Sequence, residues 1–150
     1  KLQSLGLGIA RRQFLFQGGS PLGTQQPPEF LRSFTQETLG NTFAAVVVRR
    51  EVYFALGGLD EQAFPTNFND VDFCLRVRDA GFRNVYTPHA VLVHHESATR
   101  GSDMAPERRA RFEREVRFMQ DRWGAALRDD PYYSPHLTRH HEDFSIAGGA

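Results

Sequence analysis

Apolar residues run without alternation through FAAVVVR, residues 43–49, the pattern of a strand covered on both faces. RREVYFALGGLDE, starting at Arg49, predicts about two helical turns ended by Gly57 and Gly58, the first free to take the left-handed cap conformation. From Asn69 the spacing predicts a second helix to about Ala80, with Asn69 or Asp70 as its cap and Gly81 closing it. NVYTPHAVLVHHES then reads as a strand, a break at Pro88 and another strand. Between about Pro106 and Leu127, the residues Phe112, Val116, Met119, Trp123 and Leu127 form one stripe among Arg and Glu, which predicts an amphipathic helix. Upstream, LQSLGLGIARRQFLF over residues 2–16 suggests one or two short strands, and QGGSPLGTQQPPEF over 17–30 a surface loop. The turn-rich tail, 129–150, is expected to pack on the body. The whole reads as a single α/β unit: a strand and loop lead-in over 1–42, a core over 43–101, and a helix and tail over 102–150.

Composition narrows this. At 150 residues, 40% hydrophobic and 12% aromatic, the chain can build one core and is too short for two. Lys+Arg and Asp+Glu both total 18, so no global basic field argues for nucleic acid or an anionic membrane. The one helix rich in Arg, ERRARFEREVRFMQDR, is interrupted by Glu107, Glu113, Glu115 and Asp121, which weakens a nucleic-acid reading further. Lys1 is the single lysine; the arginine fork suits carboxylate and phosphate oxygens. Cys74 cannot form an internal disulfide, and its place in a helical pattern reads as a buried small hydrophobe in a reducing compartment. No apolar run approaches the roughly 18 residues of a membrane span, so the expected location is cytoplasmic or peripheral at an inner membrane. A start without Met, directly in a strand-like pattern, is what a fragment of a larger protein would show.

Candidate chemistry centres on Asp70 and Asp72, one residue apart where the second predicted helix begins. In one reading Asp70 caps the helix while Asp72 pairs with Arg76 at i,i+4. In a second, the pair is a metal-binding Asp-x-Asp, but such a clamp follows a buried strand, and here a loop, AFPTNFN, precedes it. In the third, Asp70 is a general base fixed at a helix N-terminus. Two other candidates are discounted. His136 and His140 have helical metal-ligand spacing, but Pro135 and its neighbours disfavour a helix. Trp123, in QDRW, lies on the apolar stripe and reads as a core aromatic.

VVVRREVYFALGGLDE, NDVDFCLRVRDAGFRNVYTPHA, VHHESATRG and RFMQDRWGAALRDDPYYSPHL, in that order, resemble the C-terminal, acceptor-side half of bacterial family 2 GT-A glycosyltransferases that build surface polysaccharides. The resemblance implies a partial GT-A, Rossmann-like mixed sheet flanked by helices, with a long C-terminal amphipathic helix. It implies inverting transfer of a hexosyl or deoxyhexosyl group from a nucleotide-sugar donor to a glycan acceptor. Asp70 would be the base and Asp72 its helix-stabilising neighbour. Gly57, Gly58, Asp60 and Asn69 would lie at the acceptor, and Arg100 at the donor diphosphate. His94, or alternatively His95, would approach Mg2+ or Mn2+. Without the resemblance, the same histidines read as packed strand-end residues and Arg100 as the partner of a surface acid. The half that grips the nucleobase is not recognisable before residue 43. The chain alone is therefore expected to be inactive, with its open surface taken by that half or by self-association. The competing expectation is a non-catalytic module of the same descent, binding carbohydrate or protein through Tyr132 and Tyr133.

Overall fold

The computed structural model describes residues 9–10, 13–14, 33–41, 43, 45–90, 106–138 and 145–147. The short strands expected near the N-terminus form a hairpin, β1 (Ile9–Ala10) pairing antiparallel with β2 (Gln13–Phe14). A second antiparallel ladder joins β3 (Gln36–Thr38) to β4 (Asn84–Tyr86), with Glu37 opposite Val85. β3 reads QET and carries no apolar alternation, so periodicity does not announce it. Among the described residues there are three helices: α1 (Arg50–Ala55), α2 (Asn69–Asp79) and α3 (Pro106–Arg128). The chain is thus mixed α/β, and its ladders among the described residues are two separate antiparallel pairs.

Residues 45–49 correct the expectation of a covered strand over 43–49. They belong to no ladder, and Val46 and Val47 are exposed, Val47 completely. A β-branched run becomes a strand only when another strand satisfies its backbone. No strand among the described residues lies beside it. Among the described residues of this stretch Phe43 and Val48 turn inward, Phe43 meeting Phe73 edge-on with ring centroids 5.6 Å apart.

The helices end as their glycines predict. Gly57 and Gly58 both have positive φ, 78° and 69°, and their N–H groups donate to the carbonyls of Phe54 and Tyr53. A Cβ on Gly58 would also stand 3.1 Å from the Tyr53 ring, so close approach and backbone conformation both demand glycine. Gly81, φ 82°, closes α2. The start of α2 differs from expectation: the cap position is Phe68, in the left-handed region at φ 63°, and no side chain caps the helix there.

α2 is the centre of the molecule because two of its faces are apolar. Val71 and Leu75, four apart, pack with Leu39, Phe64, Met119 and Leu127, tying α2 to α3. Phe73 and Val77, also four apart, pack with Val52 of α1. Burial of a side chain such as Phe73 contributes about 1.5–3 kcal/mol. Asn84 fastens β4 beneath the helix: its amide donates to the carbonyls of Leu39 and Cys74 at 3.0 and 2.9 Å. The described part of the tail packs on this body at Tyr132. The Tyr132 hydroxyl donates to Glu37 at 3.0 Å, and the Arg78 guanidinium lies over the Tyr132 ring.

Candidate active site

The segment leading into α2 is shaped by a buried carboxylate. Glu115 of α3, almost wholly inaccessible, accepts from the backbone N–H groups of Thr66 and Asn67, each at 3.1 Å, and from the Asn67 side-chain amide. These donors satisfy a group whose burial is otherwise costly. They also set the loop that turns at Phe68, whose ring packs against Phe112 of α3. A left-handed conformation costs a bulky residue roughly 1–3 kcal/mol and persists only where the surroundings enforce it. Asn69 and Asp70, both half-buried, follow immediately.

Asp70 and Asp72 have different environments. The Asp70 carboxylate accepts from the backbone N–H of Val71 at 2.9 Å and, more loosely, from that of Phe43 at 3.3 Å. Neither contact is a side-chain cap, which corrects the capping reading of Asp70. Asp72 is fully buried and accepts from three side chains: Arg76 Nε at 2.8 Å on one oxygen, Arg122 Nη1 and Trp123 Nε1 at 2.9 Å each on the other. The expected pairing of Asp72 with Arg76 is therefore present, extended by two donors from α3.

This buried cluster reaches the glycine turn. The remaining nitrogens of Arg76 donate to the carbonyls of Leu56 and Gly58, and Arg122 Nη1 also meets Asp60 at 2.9 Å. Asp60 accepts from the Ala63 N–H with its other oxygen at 3.0 Å. That backbone hydrogen bond, with Arg122 adding to it against the opposing effect of burial, holds the Asp60 carboxyl below the usual range. Burial by itself would lower the Arg122 pKa; the hydrogen bonds and charges of Asp72 and Asp60 outweigh it and raise it. On the opposite side of α2, Cys74 is buried, accepts the Asn41 N–H at 3.4 Å, and has its thiol pushed up to about 12 by burial.

The structure thus brings Gly58, Asp60 and Asp72 into one network, with Gly57 in the same turn but outside its hydrogen bonds, and joins Asp70 to it along α2. His94, His95, Arg100 and the strand expected before them lie outside the described residues, as does His140. His136 sits in a turn, not a helix. Among the described residues no group of three or more His, Cys, Asp or Glu side chains could hold a metal ion. Asp70 and Asp72 do not form a clamp, since N–H donors face every oxygen used by the pair. Sequence reasoning missed Glu115, Arg122 and Trp123 as partners of these loops. Glu115 offered one signal: an acid three residues after Phe112 and four before Met119, within the apolar stripe.

Comparison with known proteins is consistent with the resemblance carried by the motifs. The chain is 38% identical over 118 residues, 79% of its length, to the O-antigen biosynthesis protein RfbC of Myxococcus xanthus, of which it covers 9%. It is 35% identical over 89 residues, 57% of its length, to an N-acetylglucosaminyl-diphospho-decaprenol L-rhamnosyltransferase of Mycobacterium tuberculosis, covering 29% of that enzyme. An uncharacterized protein of Sinorhizobium fredii, y4gI, is 48% identical over 106 residues, 71% of the chain and 12% of that protein. The chain therefore spans less than a third of each of these curated relatives. No protein-family model matches it, and no solved structure does.

Proposed function

We propose that this chain is the acceptor-side half of an inverting GT-A family 2 glycosyltransferase acting in surface polysaccharide synthesis, with Asp70 as its general base. The observation that carries the reading is the division between the two aspartates. Asp72 is enclosed by three side-chain donors, whereas half-buried Asp70 is oriented, among the described residues, by two backbone N–H groups and by no side chain, which leaves acceptor capacity for an incoming hydroxyl. The names of the relatives support sugar transfer as the chemistry.

In the proposed reaction Asp70 accepts the proton of the acceptor hydroxyl as that oxygen forms a bond to the anomeric carbon of the donor sugar. The bond from that carbon to the nucleoside diphosphate breaks on the opposite face, inverting the configuration. Backbone N–H groups fix the Asp70 carboxylate before the acceptor arrives, so little reorganisation accompanies proton transfer. Gly57, with open space where a Cβ would stand, allows an acceptor a close approach, whereas Gly58 faces Tyr53; Arg100 is proposed to meet the diphosphate charge. Mg2+ or Mn2+, with His94 or His95 as a ligand, is part of the proposal on sequence resemblance alone. The donor-rich surroundings of Asp70 and Asp72 do not suit a cation.

The competing reading, a non-catalytic module binding through Tyr132 and Tyr133, has less support. Both hydroxyls are committed within the chain, to Glu37 and to the Thr138 carbonyl. A cytoplasmic or membrane-peripheral site of action is part of the proposal on sequence resemblance; no helix among the described residues is long and apolar enough to cross a membrane.

The test is Asp70→Asn in the full-length protein that carries this chain, with nucleotide-sugar binding followed by calorimetry and transfer by product formation. Turnover should fall by about 10²–10⁴-fold with donor binding intact. Undiminished turnover would remove Asp70 from the base role.

A further inference from the structure

We propose that Arg122 and Trp123 of α3 are positioning residues for the reaction, setting the placement of Asp70 relative to the Gly57–Asp60 turn through Asp72. The inference rests on the reading of Asp70 as base.

Two guanidinium groups hold the turn to α2. Arg76 grips it by backbone, at the carbonyls of Leu56 and Gly58; Arg122 grips it by side chain, at Asp60. Both converge on Asp72, where Trp123 Nε1 supplies the last donor. Asp72 lies two residues after Asp70 on the same helix, so a displacement of one, along or about the axis, carries the other with it. Asp60 and Asp72 are balanced by Arg76 and Arg122, which leaves the cluster no spare charge for a substrate. Its oxygens are directed at protein donors, and its effect on chemistry is geometric.

Stability accounts for one arm of Arg122, its bond to the fully buried Asp72, and poorly for the other, its bond to Asp60. Its side chain is 36% exposed and that of Asp60 29%, and ion pairs so open to water contribute little to folding. The same guanidinium nevertheless joins α3, the turn and the start of α2 through one nitrogen. Misplacement of a reacting group by about 1 Å can cost 10²-fold in rate, so a contact of small energetic weight can have a large kinetic one.

Three variants of the full-length protein test this: Arg122→Gln, Arg122→Lys and Trp123→Phe. The last keeps an aromatic ring on the core and loses only the donor. Arg109→Gln, which breaks an exposed ion pair elsewhere on α3, is the control. At saturating donor and acceptor, kcat per folded molecule should fall about 10–100-fold in Arg122→Gln and less in Trp123→Phe. Arg122→Lys should recover part of the loss, donor KM should be unchanged, and the control should retain full kcat. If Arg122→Gln does not fold, Trp123→Phe decides. Unchanged kcat in the folded variants, with only lowered thermal midpoints, overturns the inference. Asp70→Asn run alongside separates the two claims: an inactive Asp70→Asn with fully active Arg122 and Trp123 variants removes positioning alone, whereas an active Asp70→Asn removes both.

Discussion

Helix α2 and residues 45–49 are both rich in β-branched and apolar side chains, yet they have opposite fates. α2 buries Val71, Phe73, Leu75 and Val77 between α1 and α3, together with a carboxylate and a thiol. Val46 and Val47 are exposed. The difference lies in what each element requires of its surroundings. A helix satisfies its own backbone and needs only apolar neighbours, which this chain provides on both sides. A strand also needs a hydrogen-bonding neighbour, and the described residues offer 45–49 none. An apolar run therefore states that a partner is needed without saying where the partner is.

The comparison can be broken first at its most buried point. Asp72→Ala leaves Arg76 and Arg122 without their shared acceptor, and removal of one member of a buried charge cluster costs about 3–5 kcal/mol. Urea unfolding followed by circular dichroism should show this loss; a change below 1 kcal/mol would mean that α2 does not depend on the cluster.

A smaller effect is expected at Cys74. Its folded pKa, raised from 9.0 to about 12, exceeds that of the unfolded chain, so the native state keeps a proton that the unfolded state releases. The associated stability is complete below the unfolded value and is lost as pH rises through the folded one. Stability measured from about pH 8 to 11 should decline less steeply in Cys74→Ala than in the parent.

The smallest effect belongs to the exposed segment. Val47→Asp should change the unfolding free energy of this chain by no more than about 0.5 kcal/mol. A loss comparable to that of Asp72→Ala would show that residues 45–49 are covered and would erase the contrast.

What could be read from the sequence follows the same division. α1, α2 and α3 were legible because a 3.6-residue period, a closing glycine and an i,i+4 pair are all local. Asp70 stood out because an acid at a helix start is conspicuous within a short window. The partners of Asp72 were not legible, because Arg122 and Trp123 lie 50 and 51 residues away. Spacing rules led to Trp123 being read as a core aromatic; it does pack on the core, and its indole N–H also serves the buried acid. β3 escaped notice because a three-residue polar strand is specified by its neighbour and not by its own pattern. Residues 45–49 misled for the complementary reason, having strand composition without a neighbouring strand among the described residues.

The amide of Asn84 has a further consequence, for the order in which the molecule assembles. It bonds to Cys74, 10 residues earlier, and to Leu39, 45 residues earlier. Closing the longer loop carries the larger entropic cost, which is recovered only after the intervening chain has condensed. α1 and α2 can thus collapse on each other while β3 is still free, and pairing of β3 with β4 comes late. The same side chain that looks like a static fastener in the finished fold thus closes one short loop and one long one, and the long one, which carries β3, closes after the short.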